Sequence, residues 1–95
     1  MAIIFAPEAA SDLDDILLYT LITWGEEQQE RYADLLDKGL ARVQEKPDIG
    51  KSRPELYPGC FSYRIQQHIV YYAVRGEDIH IARLLHVRMD AKRYL

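Results

Sequence analysis

The segment Cys60–Leu85, CFSYRIQQHIVYYAVRGEDIHIARLL, decides the fold. It holds three runs rich in β-branched and aromatic residues, Cys60 to Ile65, His68 to Val74 and Ile79 to Leu85, joined by Gln66-Gln67 and by Arg75-Gly76-Glu77-Asp78. Short runs of this kind with tight polar connections predict an antiparallel meander. In the first run Phe61, Tyr63 and Ile65 alternate with Ser62 and Arg64, the pattern of a strand with one covered face. The middle run is apolar at successive positions, so it is expected to have a neighbour on each side and cover on both faces. A sheet this apolar needs something packed over it.

The residues upstream supply that cover. Ala2-Ile3-Ile4-Phe5 suits a short strand, and Pro7 fits the first turn of a helix, where its missing N–H costs nothing. Ala9, Leu13, Ile16, Leu17, Thr20 and Trp24 then recur at three- and four-residue steps, with Asp12, Asp14 and Asp15 off that stripe near the positive end of the helix dipole. Leu18, Leu21 and Ile22 widen the apolar face beyond one stripe, which points to a partner surface. Gly25 is expected to stop this helix in a left-handed conformation, and Glu26-Glu27 open a second one. Tyr32, Leu36, Gly39, Leu40 and Val43 form the buried stripe of the second helix, which ends before Pro47. Gly39 is expected to let the two helices approach closely, since a glycine inside a helix costs about 1 kcal/mol relative to alanine. Residues 48–59 read as a surface loop. The expected fold class is α/β, more closely α+β: an N-terminal strand, a helical hairpin and a three-stranded antiparallel meander, in a single domain spanning residues 1–95.

Composition narrows the function classes. Of 95 residues 48% are apolar and the net charge is −3, so the chain is expected to fold rather than to remain disordered. Residues 1–46 carry ten acidic and four basic side chains, whereas residues 47–95 carry five acidic and eight basic ones. The C-terminal half is therefore the anion-facing side, although the excess falls short of a dedicated nucleic-acid binder, and strong intrinsic nucleic-acid binding is not expected. The apolar runs are too short to span a bilayer and no signal-like start is seen, so no membrane association and a cytoplasmic location are expected. One cysteine, Cys60, rules out an internal disulfide and reads as a small buried strand residue.

Little in the sequence points to catalysis. His68, His80 and His86 are the only histidines. On a regular strand His80 and His86 share a face about 20 Å apart, too far for a common metal ion. No cysteine or close carboxylate completes a ligand set, so neither a metal nor a cofactor is expected. There is no phosphate-binding glycine loop, and Ser11, Ser52 and Ser62 lie in no nucleophile motif. A metal-free ribonuclease needs only a base, an acid and cations around a phosphate, and Arg64, Arg83, His86, Arg88, Arg93 and Tyr94 are candidates for those groups. The abundant tyrosines suit a core edge or a protein interface.

Longer patterns carry more. Ala6-Pro7-Glu8-Ala9, Asp12-Leu13, Tyr19-Thr20 and Trp24-Gly25 are followed by Gln28, Tyr32, Lys46-Pro47, Ile49-Gly50, Arg53, Glu55-Leu56 and Tyr57-Pro58-Gly59. The order closes on Ile79-His80-Ile81-Ala82-Arg83-Leu84-Leu85-His86-Val87-Arg88-Met89-Asp90, then Arg93 and Leu95. In this order the chain resembles ParE toxins of the RelE/ParE superfamily over essentially its whole length. One departure is Ala6, where the family is expected to place a helix-capping serine; it weakens the cap by about 1 kcal/mol.

The resemblance implies the toxin of a type II toxin–antitoxin pair, one that inhibits DNA gyrase by binding, has no chemistry of its own, and is silenced by a ParD-like antitoxin in a hetero-oligomer. It implies target contacts at Arg83, His86, Arg88, Met89, Asp90 and Arg93. For the antitoxin, the apolar and aromatic residues Leu17, Leu21, Trp24, Leu56 and Tyr57 are the expected contacts. Two alternatives stay open, a RelE-type ribonuclease acting on message through Arg83, His86 or Tyr94, and a homologue without toxicity that only binds its antitoxin.

Overall fold

The computed structural model describes residues 1–95. In chain order the elements are β1 (Ala2–Phe5), α1 (Pro7–Trp24), α2 (Glu26–Glu45), a 3-10 turn (Pro47–Ile49), β2 (Lys51–Ser52), β3 (Phe61–Ile65), β4 (His68–Arg75), β5 (Asp78–His86) and a final 3-10 turn (Ala91–Arg93). The helical hairpin and the antiparallel β3–β4–β5 meander lie where the hydrophobic pattern placed them. Two features are additional. The first strand joins the sheet parallel to β5, and Lys51-Ser52, inside the expected loop, pairs antiparallel with β3, so the sheet runs β1-β5-β4-β3-β2.

The hairpin packs on one face of this sheet. Ala9 of α1 and Leu36, Leu40 and Val43 of α2 meet Ile65, Val70, Tyr72, Ile79, Ile81 and Leu84 in the main core. Each large side chain buried here stabilises the fold by about 1.5–3 kcal/mol. The central strand β4 buries Val70, Tyr71, Tyr72 and Ala73 in succession, as a strand covered on both faces must. The Tyr72 hydroxyl keeps its polarity satisfied in this setting, donating to the Pro47 carbonyl (2.7 Å) and accepting from the Gly50 N–H (3.1 Å).

Several local expectations need correction. Gly25 has a positive φ of 95°, but its ψ of 172° is extended, so it joins two helices end to end without forming a left-handed cap. Gly39 makes room for the sheet and not for α1, because a Cβ there would overlap the Ile65 side chain of β3. A bulge in β5 pairs Tyr72 with Ile81 but Tyr71 with Arg83, leaving Ala82 as an extra residue. An extra residue reverses side-chain parity. His80 is therefore opposite Ala73 and exposed on the face away from the helices, whereas His86 is opposite His68 on the helix side, and the two do not share a face. Ala6 precedes α1 with no side-chain cap, as its methyl group dictates.

Candidate functional site

Beyond Leu17, α1 outruns the surface that buries it. Tyr19, Ile22 and Trp24 are 66%, 76% and 68% exposed, and Leu18 and Leu21 also meet solvent. Beside them a groove of about 930 Å³ opens between the hairpin and the sheet end made by the β3–β4 turn and the end of β5. Asp15, Ile16, Tyr19, Thr20 and Trp24 line it from α1, Gln28, Arg31, Tyr32 and Leu35 from α2, and Gln67, His68 and His86 from the sheet. Five aromatic or aliphatic residues are interleaved with seven polar or charged ones, a mixed lining of the kind a protein partner meets.

Its polar end is ordered by one tyrosine. The Tyr32 hydroxyl accepts from the Gln67 N–H at 3.2 Å and lies 2.6 Å from His68 Nδ1. The direction of this bond follows the His68 tautomer: the phenol donates when the ring proton is on Nε2 and accepts when it is on Nδ1. Burial, and the neighbouring His86 ring 5.3 Å away, push His68 down to about 4. Burial also raises the Tyr32 phenol above its ordinary value. His86 Nδ1 accepts the Arg88 N–H at 3.1 Å, so the groove end is continuous with the start of the C-terminal segment. Two histidines without a third ligand make no metal site; no cluster of three or more His, Cys, Asp or Glu is arranged to hold an ion.

The opposite sheet face is covered by turns. Cys60, Tyr71, Leu85 and Ala91 form a second, smaller cluster with Leu56, Tyr57, Ile69 and Leu95 around it. Burial raises the Tyr57 phenol and the Cys60 thiol, so both stay neutral. Outside this cluster Arg88, Met89, Asp90 and Arg93 are exposed, and the Asp90 carboxylate accepts the Lys92 N–H.

The family model for the ParE toxin of type II toxin–antitoxin systems, parDE, matches residues 3–91. The chain belongs to this ParE toxin family. It is similar to Toxin ParE1 of Mycobacterium tuberculosis, 34% identical over 93 residues that cover 97% of this chain and 95% of that one. It is also similar to Toxin ParE1 of Caulobacter vibrioides, 36% identical over 87 residues and covering 92% and 90%. In fold it matches a structure described as the chromosomal ParDE TA system from P. aeruginosa, with a TM-score of 0.78 at 23% identity over 93% of this chain and 97% of that one.

Within this toxin fold the residues singled out in the sequence separate into groups. Leu21 and Trp24 are exposed at the hairpin end, but Leu17 is half-buried against the main core. Leu56 and Tyr57 pack on the other side of the sheet, so the five do not form one surface. Of the C-terminal group, His86 faces the groove and Arg83 is held by Asp12, leaving Arg88, Met89, Asp90 and Arg93 as the exposed set. Among the ribonuclease candidates Arg83 is in contact with Tyr94, whereas Arg64 Nε donates to the Gln66 carbonyl and His86 lies against His68. Tyr19, Arg31, Tyr32 and His68 join the site from the structure alone. Tyr32 and His68 are 36 residues apart, and no local pattern announces their contact.

Proposed function

We propose that this ParE-family toxin acts by binding DNA gyrase, without chemistry of its own, and is silenced by a ParD-like antitoxin seated in the groove beneath the hairpin. The observation that carries the antitoxin seat is that Tyr19 and Trp24, both largely exposed, line that groove. An amphipathic helical segment placed there covers apolar surface that the chain cannot cover itself, and its polar side meets Arg31, Gln28 and Gln67. Leu56 and Tyr57 come within reach only of an antitoxin that continues around the sheet edge. Gyrase contact is assigned to the exposed Arg88, Met89, Asp90 and Arg93. Binding is supported over cleavage of message because general acid–base work needs free groups around one phosphate. Here the Arg83 guanidinium beside Tyr94 is engaged by Asp12, Arg64 is held at the Gln66 carbonyl and His86 lies against His68.

Trp24 is the single tryptophan and stands at the groove, so its fluorescence reports occupancy directly. Titration with a purified ParD-like antitoxin is expected to shift its emission to the blue and to relieve inhibition of gyrase supercoiling by the toxin at the same molar ratio. Relief of inhibition with no change in Trp24 emission moves the antitoxin seat elsewhere. Supercoiling untouched by the toxin alone rejects gyrase as the target.

A further inference from the structure

Arg83 is the most constrained cation of the chain. Its Nε and Nη2 donate to Asp12 Oδ2 and Oδ1 at 2.7 and 2.9 Å, a two-pronged pair that fixes the guanidinium plane. The same carboxylate accepts the Leu84 N–H at 3.0 Å. Asp12 thereby ties α1 to β5 just past the bulge, where the pairing of β1 has ended at Ile81. The Arg83 guanidinium also lies over the Tyr94 ring, 5.3 Å from its centroid. A planar cation held by two bonds offers an aromatic ring a fixed face, which a lysine ammonium does not.

The segment that Tyr94 belongs to has few other anchors. From Val87 to Leu95 only Ala91, a single methyl group, is buried, with Val87 and Leu95 half-buried. The 3-10 turn Ala91–Arg93 is three residues long and closed by the Asp90 side chain, too short to hold its own shape. Tyr94 on Arg83 is accordingly the largest side-chain anchor of the stretch that presents Arg88, Met89, Asp90 and Arg93.

We propose that Asp12 and Arg83 are positioning residues, which act through Tyr94 to hold residues 88–93 in the arrangement that meets the target. This rests on the reading that those residues contact gyrase, and it removes Arg83 itself from the contact set. The pair also links α1, where the antitoxin is proposed to sit, to the segment proposed to inhibit.

The test compares Tyr94→Ala with Tyr94→Phe, both at a position 42% exposed that leaves the cores intact. Arg83→Lys serves as a third variant. Amide hydrogen exchange of Arg93, Tyr94 and Leu95, growth inhibition on induction, and the Trp24 titration with antitoxin are read for each. Tyr94→Ala and Arg83→Lys are expected to speed exchange of those amides and to raise the dose for growth inhibition by about tenfold each, while antitoxin affinity changes less than twofold. Tyr94→Phe keeps the ring and is expected to restore both. Unchanged exchange in Tyr94→Ala overturns the proposal, as does a loss of toxicity in Tyr94→Phe equal to that in Tyr94→Ala, which assigns the hydroxyl and not the ring. Faster exchange with full toxicity supports the Arg83–Tyr94 anchor and overturns only the reading that residues 88–93 touch the target.

Discussion

The two faces of the sheet are covered by different means. On one, two long helices seal ten buried residues into the main core. On the other, the loop before β3 and the residues after β5 close over four. Helices that pack along their length support one another, whereas turns hold by a few side chains each and open at lower cost. The helix face therefore carries most of the stability. The turn face is free to present contact residues, at the expense of depending on single anchors such as Tyr94. The hairpin shares in both roles, buried at Ala9 and exposed at Ile22 and Trp24.

Equal truncations on the two faces give the widest separation. Leu36 and Leu85 are each 1% exposed, on the helix and turn faces respectively. Leu36→Ala is expected to lower the unfolding free energy by about 4 kcal/mol and Leu85→Ala by about 2, because turns collapse into a cavity more readily than packed helices do. Urea titration measures both, and equal losses break the contrast. Next in size is Gly39→Ala, expected to cost about 2 kcal/mol despite the better helix propensity of alanine, with Ile65→Val in the same chain recovering part of it. A gain in stability would show that α2 has slack over β3.

The groove end adds a pH dependence to the helix face. The folded-state value of His68, about 4, lies below the ordinary 6.5, so the unfolded chain takes up the proton first as pH falls. The stability from a neutral His68 is complete above pH 6.5, declines between 6.5 and 4, and levels off below. With the ring half-buried and partly screened by solvent, the decline is about 1.5 kcal/mol. His68→Gln should flatten the slope of stability in that window, and an unchanged slope would assign it to the carboxylates. The smallest effect is expected at Ala6→Ser, which supplies the missing cap of α1 and should raise stability by about 1 kcal/mol with antitoxin affinity unaltered.

Periodicity and punctuation in the sequence locate most of this architecture. Pro7, Gly25 and Pro47 bracket the helices, the buried stripe from Leu36 to Val43 is legible, and the successive apolar residues of β4 foretell its central place. Pairing between distant segments has no such signature. The parallel seat of β1 against β5 and the two-residue strand β2 depend on the assembled sheet. The β5 bulge reverses the parity of His80 and His86 without any glycine to announce it. The candidate site was legible in part: exposure of Leu18, Leu21 and Ile22 follows from an apolar face wider than one stripe needs, whereas Trp24, on the stripe itself, is exposed at the helix end. The Tyr32–His68 bond and the Asp12–Arg83 pair, 36 and 71 residues apart in sequence, depend on the packed hairpin. Arg83 thus reads as a free cation in sequence and as a bound one in the fold.

The central claim, a toxin that acts by binding gyrase, is tested most directly by inducing the chain alone in bacteria. Chromosomal integrity is then scored by pulsed-field gel and transcript integrity by primer extension from the same culture. Double-strand breaks with intact transcripts are the predicted result. Cleaved transcripts over an unbroken chromosome would contradict it and assign the chain to ribonuclease action.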